Sequence, residues 1–179
     1  MSVDQVSLFL ALLAVLAQAA TAVLAVTAVA RLVRPAAAWP QAVLTAVRPV
    51  ALPLAAAVAV VATLGSLYFS EVADFPPCRL CWFQRIGMYP LALLLPVALW
   101  RRDGQVRWYA APLAALGGLV SAYHVLIERF PSLESGSCDP ANPCSAIWVE
   151  RLGYLTIPVM ALSGFALIVA LLSTLQEPS

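Results

Sequence analysis

Long runs of apolar residues separated by short polar loops constrain this chain more than any other feature. Residues 6–30 form a stretch of 25 residues without a charge. At 1.5 Å per residue, such a helix crosses a hydrocarbon core of about 30 Å with some tilt. Four more runs follow: 50–69, a segment ending at about residue 100, 108–127 and 154–172. The chain of 179 residues is 63% hydrophobic and 11% charged, whereas soluble domains are about 45–50% apolar and about 25% charged. The expected fold is an all-α integral membrane protein with five spans. A four-helix transmembrane bundle occupies 50–179, and one extra N-terminal transmembrane helix with its linker occupies 1–49. The length leaves no room for a second folded module.

Residues 6–30 could be read as a signal peptide, because Ala17-Gln18-Ala19 resembles a cleavage site. A signal peptide needs a positive start and an apolar run of about 7–15 residues. Here the start carries Asp4 and no basic residue, and the apolar run continues past that site. A retained helix is therefore expected. Residues 31–49 read as a linker with Arg31, Arg34, Arg48 and three prolines, and Pro53 is expected in the first turn of the second span. Residues 70–77 read as a short acidic loop, 101–107 as a basic turn, and 128–153 as the longest polar loop. Pro90 and Pro96 lie inside the third span, where a kink is expected. Gly117-Gly118 permits close helix approach in the fourth.

Lys and Arg concentrate in cytoplasmic loops. The loops 31–49 and 101–107 hold Arg31, Arg34, Arg48, Arg101, Arg102 and Arg107, against Arg79, Arg85, Arg129 and Arg151 on the other side. This places the N-terminus outside, the C-terminus in the cytoplasm, and all four cysteines on the outer face. Disulfides persist there and are rare in the cytoplasm. Trp82, Trp108, Tyr109, Trp148 and Tyr154 fall near span ends, as interfacial aromatics do. The net charge of +1 argues against a nucleic-acid partner. The ten basic residues are all arginine, which we read as base-composition bias.

Cys78-Arg79-Leu80-Cys81 sits at the start of the third span. A helix N-terminus offers free N–H groups and partial positive charge, which favour a thiolate. Arg85 is four residues beyond Cys81 and shares its helix face. At that depth an arginine needs a partner, and a thiolate or the oxygen of a polar ligand would serve; the alternative is a side chain that snorkels to water. The second pair, Cys138 and Cys144, brackets a loop with two prolines that a disulfide could close. Taken alone it reads equally as a static staple or as a partner in exchange, but a second pair on the same face favours exchange, since two adjacent pairs pass electrons in series through mixed disulfides. A four-thiol zinc site is a further reading. Covalent haem attachment is excluded because Trp82, not histidine, follows Cys81. His124, the single histidine, lies near the outer end of the fourth span, as a functional group or a neutral interface residue.

Cys78-Arg79-Leu80-Cys81-Trp82-Phe83-Gln84-Arg85 with Met88-Tyr89-Pro90, then Tyr123-His124, then Pro143-Cys144-Ser145 with Gly153-Tyr154-Leu155-Thr156-Ile157-Pro158 resemble the disulfide bond formation protein B (DsbB) family, in its short-loop BdbC-like branch. The resemblance covers roughly residues 50–173. It implies a four-helix bundle in the bacterial plasma membrane that reoxidises an exported thioredoxin-like (DsbA-type) thiol oxidase and passes electrons to a quinone, menaquinone or ubiquinone. By that resemblance Cys138 meets the partner, Cys144 resolves toward Cys78, and Cys81 is the thiolate facing the quinone. Arg85 would stabilise that thiolate and the reduced quinone oxygen, with His124 near the same pocket. Two departures stand out: the span 6–30 is additional to the usual four, and the second pair is closely spaced. Vitamin K epoxide reductase-like enzymes place their loop cysteines before the Cys-x-x-Cys, the reverse of the order here. A membrane scaffold with structural disulfides is the non-enzymatic alternative.

Overall fold

The computed structural model describes residues 2–134, 138–139 and 141–175. Residues 176–179 lie outside them, as do 135–137 and Pro140 of the second cysteine loop. The elements in chain order are α1 (Val3–Val33), α2 (Ala38–Glu71), α3 (Arg79–Arg101), a 3-10 turn (Gly104–Val106), α4 (Arg107–Arg129), a second 3-10 turn (Pro131–Leu133), a small hairpin of β1 (Glu150–Arg151) and β2 (Leu155–Thr156), and α5 (Ile157–Ser173). In lipid every backbone polar group must be satisfied within the chain, so apolar runs of this length become helices.

Among the described residues four helices are long and apolar enough to cross a membrane: α1, α2, α3 and α4 with its preceding 3-10 turn. The fifth differs from expectation. α5 has 17 residues, about 25 Å of helix, and is a shorter apolar helix. Residues 154–156, expected to open that span, belong instead to the hairpin, whose turn needs left-handed backbone at Leu152 (φ 51°) and Gly153 (φ 75°). Pro158 then sits in the first turn of α5, where its missing N–H costs nothing.

The linker expected over 31–49 is also mostly helical. The chain breaks only between Val33 and Ala38, and α2 then runs for 34 residues. Pro40 occupies its first turn, while Pro49 and Pro53 lie in its interior. Pro53 is therefore fifteen residues inside the helix rather than at its start.

α5 packs against α1, α2 and α4, and further neighbours are α2 with α3, α3 with α4 and, less extensively, α1 with α2. The core is built from Phe165, Ile168 and Leu172 of α5, Leu91 and Leu95 of α3, Ala51, Ala55 and Ala59 of α2, and Ala110 and Ala114 of α4. A Cβ on Gly117 would stand 2.4 Å from the Phe165 ring, and one on Gly87 would stand 3.3 Å from the Gly117 Cα. The Gly117-Gly118 pair thus delivers its close approach at the first glycine, which seats a phenyl ring between three helices.

Polar contacts fix α1 to the rest. Gln18 donates to Ser163 Oγ at 3.0 Å and accepts from the Tyr154 hydroxyl at 2.8 Å. Arg151 of the hairpin donates to Ser7 Oγ at 2.9 Å and pairs with Asp4. The N-terminus therefore lies at the same end of the bundle as the hairpin and the cysteines.

Candidate functional site

Pro76 and Pro77 keep the chain extended, and Cys78 (φ −68°, ψ 173°) becomes the N-cap of α3. Its sulfur accepts from the Cys81 backbone N–H at 3.4 Å and lies 2.9 Å from the Cys81 sulfur. Both thiols are free, Cys78 buried and Cys81 half-buried. The first helical turn thus points its free N–H groups at Cys78.

His124 of α4 meets this pair from the other side. Its Nε2 lies 2.9 Å from the Cys144 carbonyl oxygen and 3.7 Å from Cys78 Sγ. A carbonyl only accepts, so Nε2 carries the proton in the neutral ring. Nδ1 is then the acceptor, and Gln84 of α3 donates to it from Nε2 at 3.0 Å. One imidazole N–H is shared between the Cys78 sulfur and the backbone of the second cysteine pair. Cys78 is held well below the usual thiol range, chiefly by the hydrogen bond from the Cys81 thiol, with His124 adding to it and burial opposing.

Cys138 and Cys144 are joined to each other, with an S–S distance of 2.08 Å. Cys144 is 1% exposed and clusters with Cys78, Leu80 and Ile127, while Cys138 is only partly buried at the edge of that cluster. Glu134 holds the inner half of the loop: its carboxylate accepts from the Cys144 N–H at 2.7 Å and from the Ser145 hydroxyl at 2.8 Å. Asn142 donates to the Pro76 carbonyl at 3.3 Å and so ties the disulfide loop to the approach of the first pair. The ring of Phe75 stacks on Trp148, with centroids 5.3 Å apart. Trp148 therefore braces two loops, beyond the interfacial place expected for it.

Arg85 lies on the Cys81 face of α3, one turn deeper. The hydrogen bonds it makes run to Ser66 of α2, from Nε to the hydroxyl at 3.1 Å and from Nη2 to the carbonyl at 3.1 Å. Its guanidinium also lies 5.0 Å from the Trp82 ring centroid and 5.8 Å from that of Tyr89. The charge is thus fixed by α2 and two aromatic faces rather than by a thiolate hydrogen bond. Cys81, Gln84, Arg85, Ser66, Ser70 and Tyr89 share one end of a cavity of about 640 Å³ that is otherwise walled by apolar side chains.

The sites expected from sequence therefore converge. Cys78, Cys81, His124 and Cys144 meet in one buried cluster, Cys138 marks its outer edge, and Arg85 lies at the cavity on its inner side. The four-thiol zinc reading is not assembled, because Cys138 and Cys144 bond to each other. Among the described residues Cys78, Cys81 and His124 present their ligand atoms within 4.8 Å of one another, a geometry equally suited to sharing protons; Glu134, Cys138 and Cys144 do so too, but with both sulfurs tied up in the disulfide. Sequence reasoning missed Gln84, Glu134 and Ser66. Gln84 had a visible signal, an uncharged amide in an apolar helix three residues after Cys81. Glu134 had none, since acidic residues are ordinary in polar loops.

A family model described as disulfide bond formation protein DsbB matches residues 47–175. The chain is 42% identical over 120 residues to disulfide bond formation protein C of Bacillus subtilis (strain 168), covering 66% of this chain and 87% of that protein. It is 46% identical over 138 residues to a probable disulfide formation protein of Deinococcus radiodurans, covering 70% of this chain and 88% of that one. No solved structure matches the chain. α1 and the first nine residues of α2 precede the matched segment.

Proposed function

We propose that this chain, which belongs to the disulfide bond formation protein DsbB family, is a membrane thiol:quinone oxidoreductase. Membership makes it a membrane protein of disulfide formation. The finer reading is that it reoxidises an exported thioredoxin-like (DsbA-type) thiol oxidase and delivers the electrons to menaquinone or ubiquinone. The observation that carries this reading is the single His124 N–H placed between Cys78 Sγ and the Cys144 carbonyl. It joins a partly exposed disulfide to a buried dithiol whose second sulfur lines an apolar cavity.

The steps balance as two-electron exchanges. A partner thiolate attacks Cys138, the more accessible sulfur, and Cys144 leaves as a thiolate beside His124. Cys144 attacks Cys78 of an oxidised Cys78–Cys81 pair, and Cys81 leaves. The partner's second thiolate releases Cys138, completing the partner's disulfide. Cys138 then attacks Cys144 in the Cys144–Cys78 bond, and Cys78 leaves. Cys78 is a good leaving group because its anion receives hydrogen bonds from Cys81 and His124. The result is a Cys138–Cys144 disulfide and a Cys78/Cys81 dithiol, the pairing described above. A quinone takes up two electrons and two protons and so returns this dithiol to a disulfide.

The cavity suits such a molecule, with polar groups at one end and apolar walls along the rest. Arg85, Gln84 and Tyr89 would hold the ring oxygens, and Arg85 would offset negative charge there without moving, because Ser66 fixes it. We further place the cysteine end of the bundle outside the plasma membrane of a bacterium, with the C-terminus in the cytoplasm. α5 then crosses as the fifth span; its shortness is tolerable because α1, α2 and α4 shield it from lipid. α1 acts as an additional N-terminal helix, joined on the cytoplasmic side through residues 34–37 to α2 and the rest of the bundle.

The test is quinone reduction by the purified protein supplied with a reduced thioredoxin-like oxidase. Turnover is expected with the native chain and is lost in Cys81→Ser. Turnover that survives Cys81→Ser, or its absence from the native chain, overturns the mechanism; the latter favours a scaffold with structural disulfides.

A further inference from the structure

α1 lies outside the residues that carry the family resemblance, yet it forms one full side of the cavity that reaches Cys81 and Arg85. Leu10, Leu13, Ala17, Ala20 and Leu24 all line that cavity. Their spacing of three or four residues places them on a single helix face. The stripe extends over fifteen residues, about 21 Å of helix from first to last. Across the gap, α2 lines the same cavity from Val47 and Leu54 to Ser66 and Phe69, about 33 Å of helix. The cavity is thus a slot running along most of the apolar thickness, with its polar groups gathered at the cysteine end.

The slot is held open by fixed contacts. α1 is pinned to α5 and the hairpin through Gln18, Asp4 and Ser7, and Ala11 and Ala14 pack on Leu155, Val159 and Met160. These contacts leave another face of α1 standing opposite α2. Near the cysteine end the two helices touch where Leu10 meets Gly65, whose Cβ would lie 2.8 Å from the Leu10 side chain. Beyond that contact the lining is alanine, valine, leucine and glycine with Met88, Met160 and Phe165, all apolar. Ordered water needs two to four polar partners, and this wall offers none. An apolar chain is the occupant such a slot favours.

We propose that α1 is the tail-binding wall of the quinone site: its 10–24 stripe holds the isoprenoid chain of a long-tailed quinone. This rests on the oxidoreductase reading given above. It gives the extra helix a function, selecting long-tailed acceptors over tailless rings.

Two measurements on the full chain in lipid nanodiscs test it. First, equilibrium binding is compared for a long-tailed menaquinone and for menadione, the same ring without a tail. In Ala17→Phe and Ala20→Phe the ratio of the two affinities is expected to fall about tenfold, as lost apolar burial of this size implies. Val26→Phe, on an exposed face of α1, should leave the ratio unchanged. Second, a quinone bearing a photoreactive group on its tail is expected to label residues 10–24 of the unaltered protein, which needs no variant to fold. An unchanged ratio in both phenylalanine variants, or tail labelling confined to α2–α5, overturns the proposal. If the native chain oxidises its dithiol with neither quinone, the oxidoreductase reading itself fails; if it uses both and the ratio does not move, only the role of α1 fails.

Discussion

His124→Leu removes the one N–H shared by Cys78 and the Cys144 carbonyl, and its effect follows from the geometry. Cys78 as a thiolate has three donors: the Cys81 backbone N–H, the Cys81 thiol and His124 Nε2. A hydrogen bond to a charged group contributes about 1.5–3 kcal/mol. One pKa unit corresponds to 1.36 kcal/mol, so a full-strength bond would be equivalent to about one to two units. At 3.7 Å the His124 contact is long, and the lower end, about one unit, is the expectation. The sign is fixed. His124 favours the anion, so its loss raises the pH at which the dithiol gives up its first proton. The assay is the thiolate ultraviolet absorbance of the reduced Cys78/Cys81 pair, followed against pH in the native chain and in His124→Leu with the outer disulfide intact. The two protons come off the pair as coupled steps, so the first midpoint is the quantity to compare. Gln84→Leu frees Nδ1 and lets the ring change tautomer, and it should move that midpoint in the same direction by a smaller amount. A first midpoint that stays in place or falls in His124→Leu would refute the assignment of Nε2–H as a thiolate donor.

Two further perturbations probe the surroundings. Glu134→Ala strips the acceptors from the Cys144 N–H and the Ser145 hydroxyl, and a buried donor left unpaired costs about 1–3 kcal/mol. Proteolysis of the 130–150 loop should become faster while the helices stay protected, and equal cleavage in both proteins would count against the clasp. Gly117→Leu drives a side chain into the Phe165 ring, where even a Cβ would approach to 2.4 Å. Overpacking of this kind costs about 1–3 kcal/mol or more, so the thermal midpoint in detergent should drop. Gly118→Ala, with 3.5 Å of clearance, should change it little.

The apolar runs alone determined that this chain is a bundle of membrane helices, because lipid leaves an apolar backbone no other way to satisfy its N–H and C=O groups. The spacing Cys78-x-x-Cys81 with Arg85 was legible for a similar local reason: an N-cap and one helical turn set those three side chains. Element boundaries were less legible. Proline content suggested a loop over 31–49, but packing within the bundle carries α2 through Pro49 and Pro53. A continuous apolar run suggested a helix from residue 154, where backbone φ angles at Leu152 and Gly153 make a hairpin. Tertiary structure alone decided what the site is made of. Gln84 and His124 are 40 residues apart in sequence, Arg85 and Ser66 are 19 apart, and no local pattern announces that such pairs will meet. The same holds for α1. Its sequence shows only that it is long and apolar; the polar ties of Gln18 and Arg151 are what turn one face toward the slot that reaches Cys81.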